Sequence, residues 1–297
     1  MAKYTFKEFQ AEYPDDAACL AKIMEIQYGG SATHCPQCKE RRQFHPMNSR
    51  RAYACQVCGH HIYPCAGTIF HKSRTNLTKW FFAMYLMTST RHGVAAKEIE
   101  RQLGVTYKTA WRMCHELRKL MAAADYHGPL GGAGKHVEID ETFIGGKSQV
   151  RGFGSRLYKK TMVMGMIERD GRMRAGPVPD DRSDTLEPLV VGNIDHETTI
   201  STDGLPSYHA LGDTFAEHGV VKHHIKEYVR GKHHTNTIEG HWSLLKRAIR
   251  GTHVHISQKH AWKYIAEFSY RHNMRKSHSA MFNLLVHAFA LPRLADA

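Results

Sequence analysis

The chain has 297 residues, with 41 Lys+Arg against 28 Asp+Glu, a formal net charge of +13 before any of its 23 His is counted. With 42% hydrophobic and 23% charged residues the composition is ordinary for a globular protein and excludes a disordered chain; the length suits roughly two domains of about 150 residues. No run of about 18 apolar residues is present to span a bilayer, and Met1-Ala2-Lys3-Tyr4 leads into polar and acidic residues in place of an apolar signal core, so secretion is not expected.

The charge is unevenly placed. Residues 1–130 carry 18 basic and 10 acidic side chains, 131–221 carry 10 and 14, and 222–276 carry 12 and 3 with nine His. A surplus of this size points to a polyanion such as nucleic acid, against the plainer reading of a merely basic protein. An acidic middle between basic ends needs a reason, because polyanions avoid carboxylates unless a metal intervenes.

Cys35-Pro36-Gln37-Cys38 and Cys55-Gln56-Val57-Cys58-Gly59 stand 16 residues apart, the spacing of a structural Zn²⁺ ribbon. Each C-x-x-C turn lets two thiolates converge on one ion, and four soft sulfurs close a tetrahedral shell. The alternative, a disulfide or redox pair, is disfavoured by an odd cysteine count and the absence of an apolar leader. Cys65, His60 and His61 are expected to be packing or surface residues, and Cys19 and Cys114 buried thiols. Between the knuckles, Arg41, Arg42, Arg50 and Arg51 with Phe44 and Tyr53 read either as two short strands offering Arg to phosphate or as a solvated hairpin face.

Residues 76–90 predict an apolar core helix with Asn76 as its N-cap. Next, a helix ending at Leu103, a turn at Gly104 and a second helix capped by Thr106 form a helix-turn-helix, with Ile99, Leu103, Val105, Ala110 and Met113 turned into one small core. Tyr107, Lys108, Arg112 and His115 then fall on the other faces of the second helix, suited to a DNA groove; the plainer reading is a helical hairpin. Glu100 stands where this motif usually has a small residue.

Residues 128–134, with four Gly and a Pro, form the best domain boundary. Beyond it, strands are expected at 136–146, 160–169 and 172–178, the last two joined by a turn at Asp170-Gly171. A short helix over 184–191, a strand over 198–204, a short helix over 206–211, a strand over 224–229 and a long helix over 235–251 closed by Gly251 follow. This is the order of an RNase-H-like fold, in which an Asp on the first strand and an Asp ending the fourth meet a carboxylate on the late helix. Asp140, Asp203 and Glu239 hold those places, and hard carboxylate oxygens are what Mg²⁺ (or Mn²⁺) takes. Singly each has a bland reading: Asp140 with Glu141 as a surface strand pair, Asp203-Gly204 as a turn, and Asn236 with Glu239 as a capping box. Lys246 lies two helical turns after Glu239 on the same face, and Arg250 one turn further, aimed at phosphate unless they form an ordinary basic helix face. The fold class that emerges is an α+β multidomain chain: a helical segment at 1–30, a zinc ribbon at 31–71, a helix-turn-helix DNA-binding domain at 72–127, and a C-terminal RNase-H-like α/β catalytic domain at 135–297.

With these motifs the sequence resembles insertion-sequence transposases of the DDE superfamily, and more narrowly the bacterial ISXO-like group with an N-terminal zinc ribbon. The resemblance rests on the two cysteine knuckles, on Lys97-Glu98-Ile99, Leu103-Gly104-Val105 and Thr109-Ala110-Trp111, and on Val137-Glu138-Ile139-Asp140-Glu141-Thr142-Phe143-Ile144-Gly145-Gly146-Lys147. It extends through Thr202-Asp203-Gly204, His234-Thr235-Asn236-Thr237-Ile238-Glu239-Gly240, Trp242-Ser243-Leu244-Leu245-Lys246-Arg247, Tyr264-Ile265-Ala266-Glu267-Phe268 and Arg271-His272-Asn273. His272 replaces the aromatic residue usual after that Arg, a change expected to touch packing only.

The resemblance implies metal-dependent DNA cleavage and strand transfer at element ends. Asp140, Asp203 and Glu239 are then the Mg²⁺ ligands, and Lys246 contacts the DNA end. Relatives use Asn as the third catalytic residue, and Asn236 is present; Glu239 is favoured because a carboxylate binds Mg²⁺ better than an amide. Tyr107, Lys108, Arg112 and Arg250 would bind double-stranded DNA, both element ends and target. A homo-oligomeric active complex in the cytoplasm, on the nucleoid, is implied with them. The rival functions are a non-catalytic DNA-binding regulator descended from such an enzyme, an RNase-H-like nuclease without strand transfer, and a metal-storage or zinc-sensing protein, the last disfavoured because the His are scattered.

Overall fold

The computed structural model describes residues 4–90, 92–125, 128–145 and 160–291. Residues 1–3, Gly146 and Lys147, used in the sequence reading, lie outside the described residues. The described residues form two compact units, one of 4–124 with 277–291, the other of 125–276.

In the first unit, α1 (Phe6–Glu12) and α2 (Asp16–Tyr28) precede a four-stranded antiparallel sheet, β1 (Ala32–Cys35), β2 (Glu40–Pro46), β3 (Tyr53–Cys55) and β4 (His61–Ile62), in chain order. The helices α3 (Leu77–Ser89), α4 (Ala96–Leu103) and α5 (Tyr107–Ala124) follow. The start of α1 is fixed by a reciprocal capping box between Thr5 and Glu8. Helix α3 begins after Asn76 as expected, although that side chain makes no capping bond. It carries the apolar face the sequence suggested, with Trp80, Phe81, Met84 and Met87 buried.

Between α4 and α5, Gly104 takes φ +58°, a left-handed value costly for side chains with a Cβ. Thr106 Oγ1 accepts the Thr109 backbone N–H at 3.4 Å. Ile99, Leu103, Ala110 and Met113 are buried, Val105 is half-buried, and Glu100 reaches out to Lys97 Nζ at 2.6 Å. The last helix, α9 (His278–His287), belongs to this unit and not to the C-terminal body in which the sequence reading placed it. Its Phe282 stacks on Tyr4 with ring centroids 4.9 Å apart, which ties the end of the chain to its beginning.

The second unit is built on a five-stranded sheet of β5 (His136–Ile144), β6 (Thr161–Glu168), β7 (Met173–Val178), β8 (Thr199–Thr202) and β9 (Glu217–Val220), ordered β7-β6-β5-β8-β9. The pairs β7·β6 and β6·β5 are antiparallel, while β5·β8 and β8·β9 are parallel. Among the described residues its α-helices are α6 (Ser183–Asn193), α7 (Asn236–Ala248) and α8 (Gln258–Asn273). Strand alternation sorts the core onto two faces. Val137, Ile139, Met162, Met164, Met166 and Ile200 pack with α6 and the 3-10 helix Pro206–Asp213; Ile144, Val163 and Ile167 pack with Ile238, Trp242 and Leu245 of α7 and with α8. Apolar cover on both faces explains why β6 reads as an almost unbroken hydrophobic run.

Three local expectations change. The fifth strand is Glu217–Val220, not 224–229; Ile225, Tyr228 and Val229 give that stretch a strand-like composition but are 62%, 54% and 53% exposed. Within β9, which pairs with β8 in parallel, Gly219 leaves room for His233: a Cβ there would sit 2.0 Å from its Cγ. Gly251 does not close the long helix. Helix α7 ends at Ala248, continues as a π-helical turn over Ile249–His253, and stops at Val254 with φ +63°. Asn236 is not an N-cap. Thr235 holds that position, and its Oγ1 donates to Glu239 Oε1 at 2.9 Å.

Asn273 closes the edge of the sheet: its Oδ1 accepts the Met173 N–H at 2.8 Å and its Nδ2 donates to the Met173 carbonyl at 2.9 Å. His272 bonds His241 of α7 between Nδ1 and Nε2 at 2.6 Å, and its own Nε2 lies 3.1 Å from the Gly171 carbonyl.

Candidate active site

Register dictates where the acids meet. β5 and β8 run parallel with Glu138 opposite Ser201, so Asp140 and Asp203 fall opposite each other two residues on, just past the last residue of β8. Asp140 shares the parity of Ile144 on β5, and Asp203, opposite it, is out of phase with Ile200, which packs on the other face, so both face α7. This is the crevice beyond the carboxyl ends of parallel strands, where the neighbouring backbone has ended and side chains are open to a ligand. Asp203 also stops its strand locally, since its Oδ1 accepts the Leu205 N–H at 3.0 Å.

In sequence Glu141 is only half of a surface strand pair with Asp140, and alternation turns it toward the opposite face. Its carboxylate comes round the end of β8, and oxygens of Asp140, Glu141 and Asp203 lie within 4.8 Å of one another. No sequence signal marks this, because it depends on β8 ending at Thr202. Glu239 lies outside that radius, yet close enough for its charge to act on Asp140. Burial first, then the charges of Asp203 and Glu239, push the Asp140 carboxyl up to about 7; burial, then Asp140, Asp203 and Asp181, push Glu141 up to about 9. Glu141 Oε1 is buried without a hydrogen-bond partner among the described residues. A hard divalent cation fits this donor set: at metal–oxygen bonds of about 2.1 Å, opposite ligands stand about 4.2 Å apart.

Trp242 orients the first acid. Its Nε1 donates to Asp140 Oδ2 at 2.9 Å, and its ring lies over Gly165, the partner of Asp140 across the β5·β6 ladder. A Cβ on Gly165 would stand 2.4 Å from the indole. Gly165→Ala is therefore expected to displace Trp242 and cost about 1–3 kcal/mol through overpacking, read by denaturant unfolding, with a loss of any activity that depends on Asp140.

Glu239 is held by Thr235 and has His223 Nε2 at 3.5 Å from its Oε1, while Asn236 is exposed at the first position of α7. Lys246 is half-buried two turns along α7, and Arg250 is exposed on the π-helical turn.

In the first unit, Tyr107 is 50% exposed with Lys97 Nζ 5.7 Å from its ring centre, and Lys108 is exposed. Arg112 is exposed but partly engaged, its guanidinium 5.3 Å from the Trp80 ring and its Nη2 3.4 Å from Ser73 Oγ. His115, expected on an outer face, is buried and stacked on Trp111 at 3.8 Å between centroids. Arg51 serves the fold instead of offering itself to phosphate: it donates to the carbonyls of Ser73 and Thr75 and to Asp16 Oδ2.

The four knuckle sulfurs converge. Cys35 Sγ stands 3.6 Å from Cys58 Sγ, and Cys38 Sγ 4.0 Å from Cys55 Sγ. Zn–S bonds of about 2.3 Å in a tetrahedron set edges of about 3.8 Å, whereas a disulfide requires about 2.05 Å. The donor set fits a structural Zn²⁺. Cys19, Cys65 and Cys114 are buried apart from it, and burial pushes the first two up to about 12 and about 11.

Comparison with known proteins agrees with this division of labour. Residues 129–273, which contain all three expected acids and Lys246, match the ISXO2-like transposase domain. Residues 14–61, which contain all four knuckle cysteines, match the transposase zinc-ribbon domain. The chain is also similar to the uncharacterized protein in transposable element ISH50 of Halobacterium salinarum, 28% identical over 262 residues that cover 81% of this chain and 85% of the relative. A cysteine ribbon, a carboxylate crevice and these matches in the same order along one chain show that it carries a transposase zinc ribbon followed by an ISXO2-like transposase domain.

Proposed function

We propose that the protein cleaves DNA at the ends of an insertion sequence and joins the freed 3′ ends to target DNA, using an RNase-H-like catalytic domain. The observation that carries this reading is the meeting of Asp140 and Asp203 at the ends of adjacent parallel strands, on the face that receives Glu239 from α7.

Asp140, Asp203 and Glu239 would hold Mg²⁺ or Mn²⁺, with Glu141 close enough to share the load. Once bound, such ions make water or a 3′-hydroxyl a better nucleophile and neutralise charge on the leaving oxygen. Trp242 keeps the Asp140 carboxylate aimed, and Thr235 does the same for Glu239. Lys246 and Arg250 extend positive charge from that point along one helix face, where a phosphate backbone would lie. Cleavage forms a phosphorus–oxygen bond to water and breaks the bond to the 3′ oxygen; joining repeats the displacement with that 3′-hydroxyl as the attacking group. The zinc ribbon and the α4–α5 pair, acting as a helix-turn-helix with Tyr107, Lys108 and Arg112, would recognise the terminal inverted repeats of double-stranded DNA. The active complex would be a homo-oligomer working on the nucleoid. Among the described residues no helix is long and apolar enough to cross a membrane.

The test is a strand-transfer assay on oligonucleotides bearing the element's terminal repeats, in Mg²⁺ and in Mn²⁺. Joined products are expected from the parent chain and not from Asp203→Asn. Cutting without joining would favour a nuclease, and repeat binding without either product would favour a regulator.

A further inference from the structure

Glu138 is a charged residue with no exposed surface, placed two positions before Asp140 on the same face of β5. Its surroundings account for both oxygens. Oε2 accepts the backbone N–H groups of Thr237 and Ile238 at 2.8 and 3.1 Å; Oε1 accepts Thr237 Oγ1 at 2.9 Å and Arg169 Nε at 2.7 Å. His234 Nδ1 lies 3.1 Å from Oε1 without the alignment of a hydrogen bond. Thr237 and Ile238 are the second and third residues of α7, whose N–H groups an N-cap side chain ordinarily satisfies. The N-cap residue itself, Thr235, makes no such bond and is turned to Glu239 instead.

The cap of α7 is thus supplied by a strand, across about 100 residues of sequence. Arg169 completes the clamp, donating also to the carbonyls of Lys232 and His234 on the segment that leads into the helix. A negative charge at a helix N-terminus is favoured by the helix dipole as well as by the bonds it accepts.

The geometry points to Glu138 as a positioning residue that locks α7 to β5 and so fixes the span between Asp140 and Glu239. This role rests on the metal-centre reading above. Ligands of a divalent cation must be held to about half an ångström, and nothing in either element alone sets the distance between them. At Glu138 the strand bearing Asp140 accepts three hydrogen bonds from the first turn of the helix bearing Glu239, beside the single bond that Trp242 makes from that helix to Asp140. A Gln here keeps the shape but turns an NH₂ toward donors, whichever way it is placed.

The experiment is calorimetric titration of Mn²⁺ into the full-length protein, with the Mg²⁺ dependence of strand transfer as a second readout. Glu138→Gln is expected to weaken Mn²⁺ binding 10- to 100-fold, the range typical of groups that orient metal ligands. It should raise the Mg²⁺ needed for half-maximal rate in parallel, with most of the rate restored at saturating Mg²⁺. In a Glu239→Gln background the same change should weaken Mn²⁺ less than twofold, since the group being positioned is already blunted; a merely structural role would act equally in both backgrounds. Should Glu138→Gln fail to fold, Arg169→Lys keeps the charge but cannot reach Glu138 and both carbonyls, and should weaken Mn²⁺ binding in the same direction by less than tenfold. Undiminished Mn²⁺ affinity in the folded variant, while Asp203→Asn still loses it, overturns the positioning role and leaves the metal centre standing. A parent chain with no Mn²⁺ binding sensitive to Asp203→Asn sinks the metal centre and this role together.

Discussion

Asp140→Asn is expected to lower strand transfer about a thousandfold and, in the same protein without metal, to raise the melting temperature. The two effects share a cause. On the proposed mechanism several kcal/mol of charge stabilisation at the reacting phosphate would depend on this carboxylate, and each 1.36 kcal/mol is tenfold in rate. Without a cation, however, burial and the neighbouring acids lift Asp140 to about 7 and Glu141 to about 9, far above the range near 4 that they have in the unfolded chain. A carboxyl that holds its proton more tightly when folded contributes stability that is full below about pH 4 and is lost as pH rises through its folded value.

At pH 8 the ionised Asp140 should therefore cost the metal-free fold on the order of 3 kcal/mol, and Asn removes that cost. The expected gain is about 5 °C or more at pH 8, shrinking toward pH 5. Mg²⁺ should stabilise the parent more at pH 8 than at pH 5, and the variant little at either. Calorimetric melts at both pH values, with and without Mg²⁺, check this; a variant that melts no higher than the parent at pH 8 in EDTA would contradict the charge-repulsion account of the crevice. Stability lost to keep like charges together is what a site built for a cation requires.

Removal of zinc is expected to unfold the ribbon and leave the second unit folded. The sheet of β1–β4 buries little apart from Phe44, Ala52, Tyr53 and Ile62 around the cysteines, too small a core to offset chain entropy alone. Binding of a structural Zn²⁺ is worth about 10–16 kcal/mol, and here that binding energy is folding energy. Cys38→Ser, or a strong chelator, should open residues 32–62 to proteolysis and hydrogen exchange while amides of β5 and β6 stay protected. Specific binding to element ends should fall with it, whereas salt-sensitive, non-specific DNA binding should persist through the basic residues elsewhere. A ribbon that keeps its protection without metal would falsify the structural-zinc assignment.

Much of this was legible along the chain because the relevant physics is local. Two C-x-x-C turns declare a tetrahedral thiolate site by spacing alone, and Gly104 declares the turn between α4 and α5 by the backbone angle it must take. Alternation in β5 and the 3.6-residue period of α7 placed Asp140 on a strand and Glu239 and Lys246 on one helix face. The misreadings came where composition competed with tertiary contact. Ile225, Tyr228 and Val229 look like a strand, yet the ladder goes to Glu217–Val220, where a glycine lets His233 close over the backbone. His115 and Arg51 are polar residues that sequence assigns to the surface, but a stacked tryptophan and two backbone carbonyls with Asp16 claim them.

The uneven charge along the chain, an acidic stretch between two basic ones, was enough to point to a polyanion and to carboxylates needing a cation. By itself the sequence determined the kind of chemistry: the cysteine ligands, the order of strands and helices, and the acids that could share a metal. Only the tertiary structure decided which groups surround that point. Glu141 enters because β8 ends one residue before Asp203; Trp242 reaches Asp140 because Gly165 leaves room; Glu138 caps a helix about 100 residues away. Each depends on where one element ends against another, and that is set by register and packing across the sheet, which no local pattern encodes.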